Sequence, residues 1–211
     1  MAFPSTQYRS LDVLDLEPNA AYANDTAYRR SLQRLDPGPG ALLVIDRSGV
    51  ATLDAKAVPF MLQSRAEISN FLTFLSNRKG RLNPFWFPTW QADLVLNAAA
   101  SAGGTGISIV NTGYTRFQFP SVARRDLAII FLDASAILYH RVITSAEVGG
   151  GLESLGLEHP LESNIDPSTV LISFLPCSRL AVDETPEFRW ETTCVVEATL
   201  QIQSLPGDTP A

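Results

Sequence analysis

The sequence holds little of what chemistry usually needs. Its 211 residues include two histidines, His140 and His159, and two cysteines, Cys177 and Cys194. Four such residues without close pairing give no zinc-ligand spacing. No G-x-S-x-G elbow is present, and neither cysteine lies in a recognisable nucleophile setting. His140 falls in the strand-like stretch Ala136–Thr144 and His159 precedes Pro160, so both read as core or surface side chains. The acidic clusters Asp12, Asp15, Glu17 and Asp183, Glu184, Glu187 lack the glycine and terminal glutamate of a calcium loop. Gly103-Gly104-Thr105-Gly106 lacks the Lys-Ser/Thr pair that holds phosphate. The expectation is no catalytic residue, no cofactor and no metal. A carboxylate pair for sugar hydrolysis depends on separation in space, which sequence does not show, so that chemistry stays open at this point.

Long basic runs and long apolar runs are missing too. The net charge is −6, and an acidic chain gains nothing from neutralising phosphates, which argues against general nucleic-acid binding. The longest apolar run, Leu127–Leu132, is far short of a membrane span. Met1–Ser10 is neither basic nor apolar, so no targeting signal and folding in a cytosol are expected. With so few cysteines, both in strand-like segments, buried free thiols are the plain reading.

What is present is an ordinary globular balance, 45% hydrophobic and 18% charged, enough for a core. One helix is well marked. Ser64-Arg65-Ala66-Glu67 forms a capping box, and Ile68, Phe71, Leu72 and Leu75 then repeat on one face. Arg78 and Lys79 suit the negative end of the dipole, and Gly80 suits a left-handed cap. The spacing predicts a helix over 64–79.

Most of the remainder reads as strand and turn. Ala41–Ile45 and Val50–Leu53 flank a turn at 46–49, after the chain-breaking Asp36–Gly40. Val58–Leu62 leads into the helix cap. From Phe188 to Ile202 alternate residues are mostly apolar, which predicts one strand of roughly 50 Å at about 3.3 Å per residue. Such length predicts either a bend at a bulge or pairing beyond the body.

Ala98–Gly106 has linker composition. Short strands are predicted after it, at Ile107–Val110, Thr115–Phe119, Leu127–Leu132, Ile137–Thr144 and Val170–Phe174, with turns such as Gly149–Gly151. The pattern predicts a small barrel or sandwich. The chain is therefore read as mainly β, in two lobes. Residues 1–97 with 178–205 form a discontinuous unit carrying the helix at 64–79. Residues 98–177 form an inserted small β-barrel-like lobe, and 206–211 form a flexible tail.

The stretch Phe85-Trp86-Phe87-Pro88-Thr89-Trp90 is the most distinctive. Its rings suit a core, a subunit interface or a sugar platform, and the first two are favoured; Phe85, Trp86 and Trp90 are the candidate interface residues.

Three stretches together carry a family resemblance. They are the capped helix from Ser64, the run Arg78-Lys79-Gly80-Arg81 and Asn83–Pro88, and the later Cys177–Glu184 leading into the strand through Trp190. In order, they resemble the distal tail or baseplate-ring proteins of long-tailed bacteriophages. The resemblance covers about half the chain. It implies a structural virion component, assembled in the host cytoplasm, with a β-sandwich belt domain, one helix and an added β domain. It implies a homo-hexameric ring at the tail tip, joining tail tube to hub or baseplate, with DNA crossing the lumen unbound. It brings no catalytic residue. The rival reading is a carbohydrate-binding module, which requires Trp86 or Trp90 exposed in a shallow groove.

Overall fold

The computed structural model describes residues 6–19, 28–29, 32–35, 43–46, 52–53, 56–133, 136–183 and 186–205. The chain is mainly β with one α-helix among the described residues. In order the elements are β1 (Gln7–Tyr8), β2 (Leu11–Asp12), β3 (Tyr28–Arg29), β4 (Leu32–Leu35), β5 (Leu43–Asp46), β6 (Thr52–Leu53), β7 (Lys56–Leu62), α1 (Arg65–Arg78), β8 (Phe85–Trp86), β9 (Gly106–Val110), β10 (Asp126–Phe131), β11 (Ile137–Val148), β12 (Leu152–Leu157), β13 (Val170–Phe174), β14 (Cys177–Leu180), β15 (Phe188–Trp190) and β16 (Val196–Ser204).

Two compact units share the chain. The first holds the described residues up to Glu17 together with Phe85–Cys177; the second holds those of Pro18–Pro84 and Ser178–Asp208. The inserted unit thus begins at Phe85 rather than residue 98 and takes in the N-terminal hairpin. The reason is packing. Val13 bridges Trp86, and both pack with Ala128 and Ile130 of β10.

The first unit is built on a five-stranded antiparallel sheet in the order β13-β10-β11-β12-β9. Its two edges are joined by one short segment. Leu94 bridges Ile172 on β13, and Leu96 bridges Ile109 on β9. The sheet therefore curls into a half-barrel, with this segment bridging its two edges. Strand β11 is shared: 137–141 pair with β10, and Val142 onward with β12, across a register shift between Val142 and Thr144. A bulge at such a place lets one strand turn a barrel corner. The interior receives Ile107, Ile109, Leu127, Ile129, Val142, Leu155, Leu157, Ile172 and Phe174.

Two expectations fail here, and one strand lies outside them. Ala98–Gly106 is no linker: Ala100 exchanges backbone bonds with Ile165, Gly103 N–H donates to Leu161, and Leu161 N–H donates to Gly104. Strand β12 was unforeseen. Residues 115–119 are not a strand, because Tyr114–Gln118 form a π-helical turn.

In the second unit β16 is central. β7 pairs along one side of it, from Leu62↔Val196 to Lys56↔Ile202. On the other side β15 pairs with its start and β14 with its end. Val196, Ala198, Leu200 and Ile202 are buried, as the alternation requires. The long strand expected from Phe188, however, is a hairpin. The chain reverses at 191–195, where the Thr192 hydroxyl accepts from the N–H groups of Cys194 and Val195. A side-chain acceptor of this kind favours a turn over a ladder. Cys194 is consequently exposed, while Cys177 is buried; both are free thiols.

Helix α1 begins as predicted. Ser64 Oγ accepts from Glu67 N–H at 3.2 Å, and Glu67 accepts from Gln63 N–H at 2.7 Å. The left-handed C-cap is Lys79, at φ 50°, and Gly80 follows it in the same region at φ 65°. Its buried face is Ile68, Phe71, Phe74, Leu75 and Arg78. Leu72 points out, so Phe74 fills the place expected of it. Phe71 meets Phe60 of β7 at 5.8 Å and Phe188 of β15 at 6.3 Å between ring centroids.

The hairpin expected between 41–45 and 50–53 pairs differently. Leu43–Asp46 joins Leu32–Leu35, and Thr52–Leu53 joins Tyr28–Arg29. Asp36–Gly40, the turn residues 47–49 and the predicted tail 206–211 lie outside the described residues.

Candidate functional site

The predicted interface residues do not form an exposed aromatic surface. Phe85 and Trp86 are fully buried. The Trp86 indole N–H donates to the carbonyl of Tyr8 at 2.8 Å, and its ring meets Tyr8 edge-on at 5.5 Å. Trp90 is half-buried, in the left-handed region at φ 57°, and packs against the same cluster. Trp86 is therefore an anchor for the N-terminal hairpin within its own unit. It offers no face to a sugar.

Against that aromatic anchor lies a buried polar group that sequence reading missed. Asp126 opens β10 opposite Arg141 of β11. The Tyr8 hydroxyl donates to Asp126 Oδ1 at 2.8 Å, and Arg141 Nη1 lies 3.5 Å from Oδ2 without hydrogen-bond geometry. Arg9 pairs with Glu158 at 2.8 Å. Burial pushes the Asp126 carboxyl upward, with the Tyr8 bond and the Arg141 charge working against it. Burial, reinforced by the Asp126 charge, also pushes the Tyr8 phenol upward. A phenol held so firmly neutral acts as a donor, not a nucleophile. The turn that delivers these groups has Arg9 and Ser10 both at positive φ, 46° and 64°. Neither is glycine, so the hairpin tightness costs strain that the Tyr8 and Arg9 contacts offset.

His140 sits in the barrel wall, almost fully buried, with neither ring nitrogen hydrogen-bonded. Burial lowers its pKa; Glu162 raises it and His159 lowers it further. The ring is therefore neutral at neutral pH. Among the described residues no group of three or more His, Cys, Asp or Glu is arranged to hold a metal. No helix of the described residues is long and apolar enough to cross a membrane.

The second missed acid is Glu153, fully buried on β12. Its Oε1 accepts from the N–H groups of Thr112, Gly113 and Tyr114 at 3.1, 2.9 and 3.0 Å. Its Oε2 accepts from the N–H and the hydroxyl of Thr115 at 2.6 and 2.5 Å. Burial alone would raise this carboxyl. The Thr115 hydroxyl and the N–H groups of Thr115, Tyr114 and Gly113 outweigh it, and the pKa lies below the ordinary value. The carboxylate caps the free N–H groups at the start of the π-helical turn. Tyr114 plugs the barrel core, and its hydroxyl donates to the carbonyl of Arg124 at 3.0 Å. Arg125 Nε closes the far end on the carbonyl of Phe119 at 2.9 Å. Gly113 stands at φ +80°, and the Phe117 ring packs where its Cβ would be, 2.9 Å from that position. The result is a tightly tied loop with Phe117 on its outside, 73% exposed, and Val122, five residues on, exposed as well.

No known family model matches the sequence, and no curated protein matches it either.

Proposed function

We propose that the protein is a structural subunit of a bacteriophage tail tip, assembled as a ring around the tail channel between tube and hub. The observation that carries this reading is where the units join. The chain leaves the helix-bearing β unit at Pro84, within the Asn83–Pro88 motif, and returns to it at Ser178, within the Cys177–Glu184 motif. Two of the three stretches that carry the family resemblance therefore flank an inserted β-barrel-like segment, which supports the plan the resemblance implies.

Length of the C-terminal strand lends no support, since that segment is a hairpin. The overall charge of −6 does support a conduit, because acidic walls repel the phosphate backbone and let DNA slide. Six copies follow from the resemblance alone. Rotational closure satisfies heterologous contacts in a finite object.

Electron microscopy of tails or of reconstituted tail tips tests the reading. Density for this chain as a closed ring on the tail axis is expected. A single off-axis copy, or absence of the chain from particles, refutes it.

A further inference from the structure

Net charge is divided unequally between the units. The unit holding the barrel carries eleven Asp and Glu against five arginines, whereas the other unit carries eleven acids and eleven Lys and Arg. The whole charge of the chain thus resides in one unit. Two of that unit's arginines, Arg9 and Arg141, lie against Glu158 and Asp126. The other three, Arg116, Arg124 and Arg125, all fall in the loop that Glu153 ties down.

This loop has the character of a binding anchor. Arg116 lies over the Phe117 ring at 5.4 Å, and Arg125 over the Phe119 ring at 4.5 Å. Neither Arg116 nor Arg125 has a carboxylate partner among the described residues. Phe117 is 73% exposed and Val122 45% exposed. An exposed ring stacked with an arginine is costly to leave in water and effective at a contact centre. The loop is already held by the Glu153 bonds, by Tyr114 and by Arg125, so docking orders little further chain. π-helical turns also concentrate at functional positions.

We propose that the loop Gly113–Arg125 is a docking knob for a second copy of this chain, set against the acidic surface of that copy's barrel unit. The inference rests on the self-assembly in the proposed function and names one of its surfaces. Charge selects the occupant: Arg116 and Arg125 stand in a loop that has no acid of its own, and nine of the unit's eleven acids lie outside its buried core, with Asp126 and Glu153 the two inside it. An arginine-bearing knob and an acidic receiver on the same molecule form a heterologous contact, which closes when repeated around an axis.

The test is sedimentation of the full chain, with Phe117→Ala and Arg116→Glu beside it. Both side chains lie at the loop surface, and circular dichroism checks that the fold is kept. The unaltered chain is expected to associate reversibly, more weakly at about 500 mM salt than at about 50 mM. Each substitution is expected to weaken association by about tenfold or more. A chain that stays monomeric at about 100 µM overturns the inference, as do variants that associate like the parent. Binding of a single-stranded oligonucleotide that Arg116→Glu abolishes, with self-association unchanged, overturns it in favour of nucleic acid. Microscopy separates this from the broader reading. Rings that still form with Phe117→Ala sink the knob and spare the ring. Phe117-dependent association by a chain absent from tails does the reverse.

Discussion

Replacing Glu153 by glutamine changes one atom and should cost the barrel unit about 2–4 kcal/mol. The carboxylate accepts five hydrogen bonds, three on Oε1 and two on Oε2. Glutamine keeps one acceptor oxygen for the N–H groups of Thr112, Gly113 and Tyr114, and it puts an NH₂ against the Thr115 N–H. The Thr115 hydroxyl can rotate to accept, but the Thr115 N–H is orphaned, at about 1–3 kcal/mol. The three remaining bonds lose charge assistance, roughly another 0.5–1 kcal/mol each. Relief from burying a charge offsets part of this. Urea denaturation followed by tryptophan fluorescence measures the difference, with Trp86 reporting from inside the affected unit. The sign with pH is fixed as well. The folded pKa of Glu153 is depressed, so its stabilisation is present above the ordinary value of 4.5 and is lost as pH falls through the folded value. The gap between parent and Glu153→Gln should therefore narrow on acidification. A loss below about 1 kcal/mol at pH 7, or a gap indifferent to pH, refutes the capping argument.

Asp126→Asn should behave oppositely. Burial raises the folded pKa of Asp126 above 3.8, so its contribution is full at low pH and declines as pH rises through the folded value; the variant, which still accepts from Tyr8, should gain relative to the parent between pH 4 and 7, and a loss of about 3 kcal/mol at pH 7 would instead make the Arg141 pair dominant. His140→Leu should flatten the acid side of the stability curve. The folded His140 resists a proton that the unfolded chain takes up below 6.5, so the parent weakens there and the variant should not, which thermal melts at pH 7 and 5.5 compare. Phe71→Ala, at a fully buried site between Phe60 and Phe188, should cost about 3–5 kcal/mol in a denaturant melt, and a cost below about 1 kcal/mol would contradict the observed helix face.

Local signals were readable in the sequence; tertiary substitutions for them were not. Helix α1 was legible because cap, stripe and stop agree within one segment. β7, β9, β10 and β13 were legible as apolar runs bounded by turns. β12 stayed hidden because Glu153 occupies an inward position and breaks the alternation of Leu152–Leu157. Its partners, the N–H groups of 112–115, come from a turn about forty residues earlier. That same carboxylate lets 114–118 adopt a π-helical turn where residue type alone suggests a strand. The error at Phe188–Ile202 has a local cause: a threonine hydroxyl supplies two turn bonds, and period-two patterning continues through the reversal because both arms share one sheet. Of the predicted interface residues, Phe85 and Trp86 are core side chains. The burial of Trp86 depends on partners distant in sequence: the N-terminal hairpin, Ala128 and Ile130 of β10, and Leu175.

The segment Phe85–Cys177 begins and ends side by side. Phe87 N–H donates to the carbonyl of Pro176, and Thr89 N–H to that of Phe174. To the rest of the chain, the whole insertion therefore spans no more distance than a tight loop, and its closure entropy is met by its own fold. An insertion of this kind is an exchangeable cassette. Evolution can enlarge it, or replace it with another module whose ends lie equally close and which still seats the N-terminal hairpin, without stretching the host. Variation among relatives of this chain should then concentrate between Phe85 and Cys177, while the strands that receive the splice keep their register.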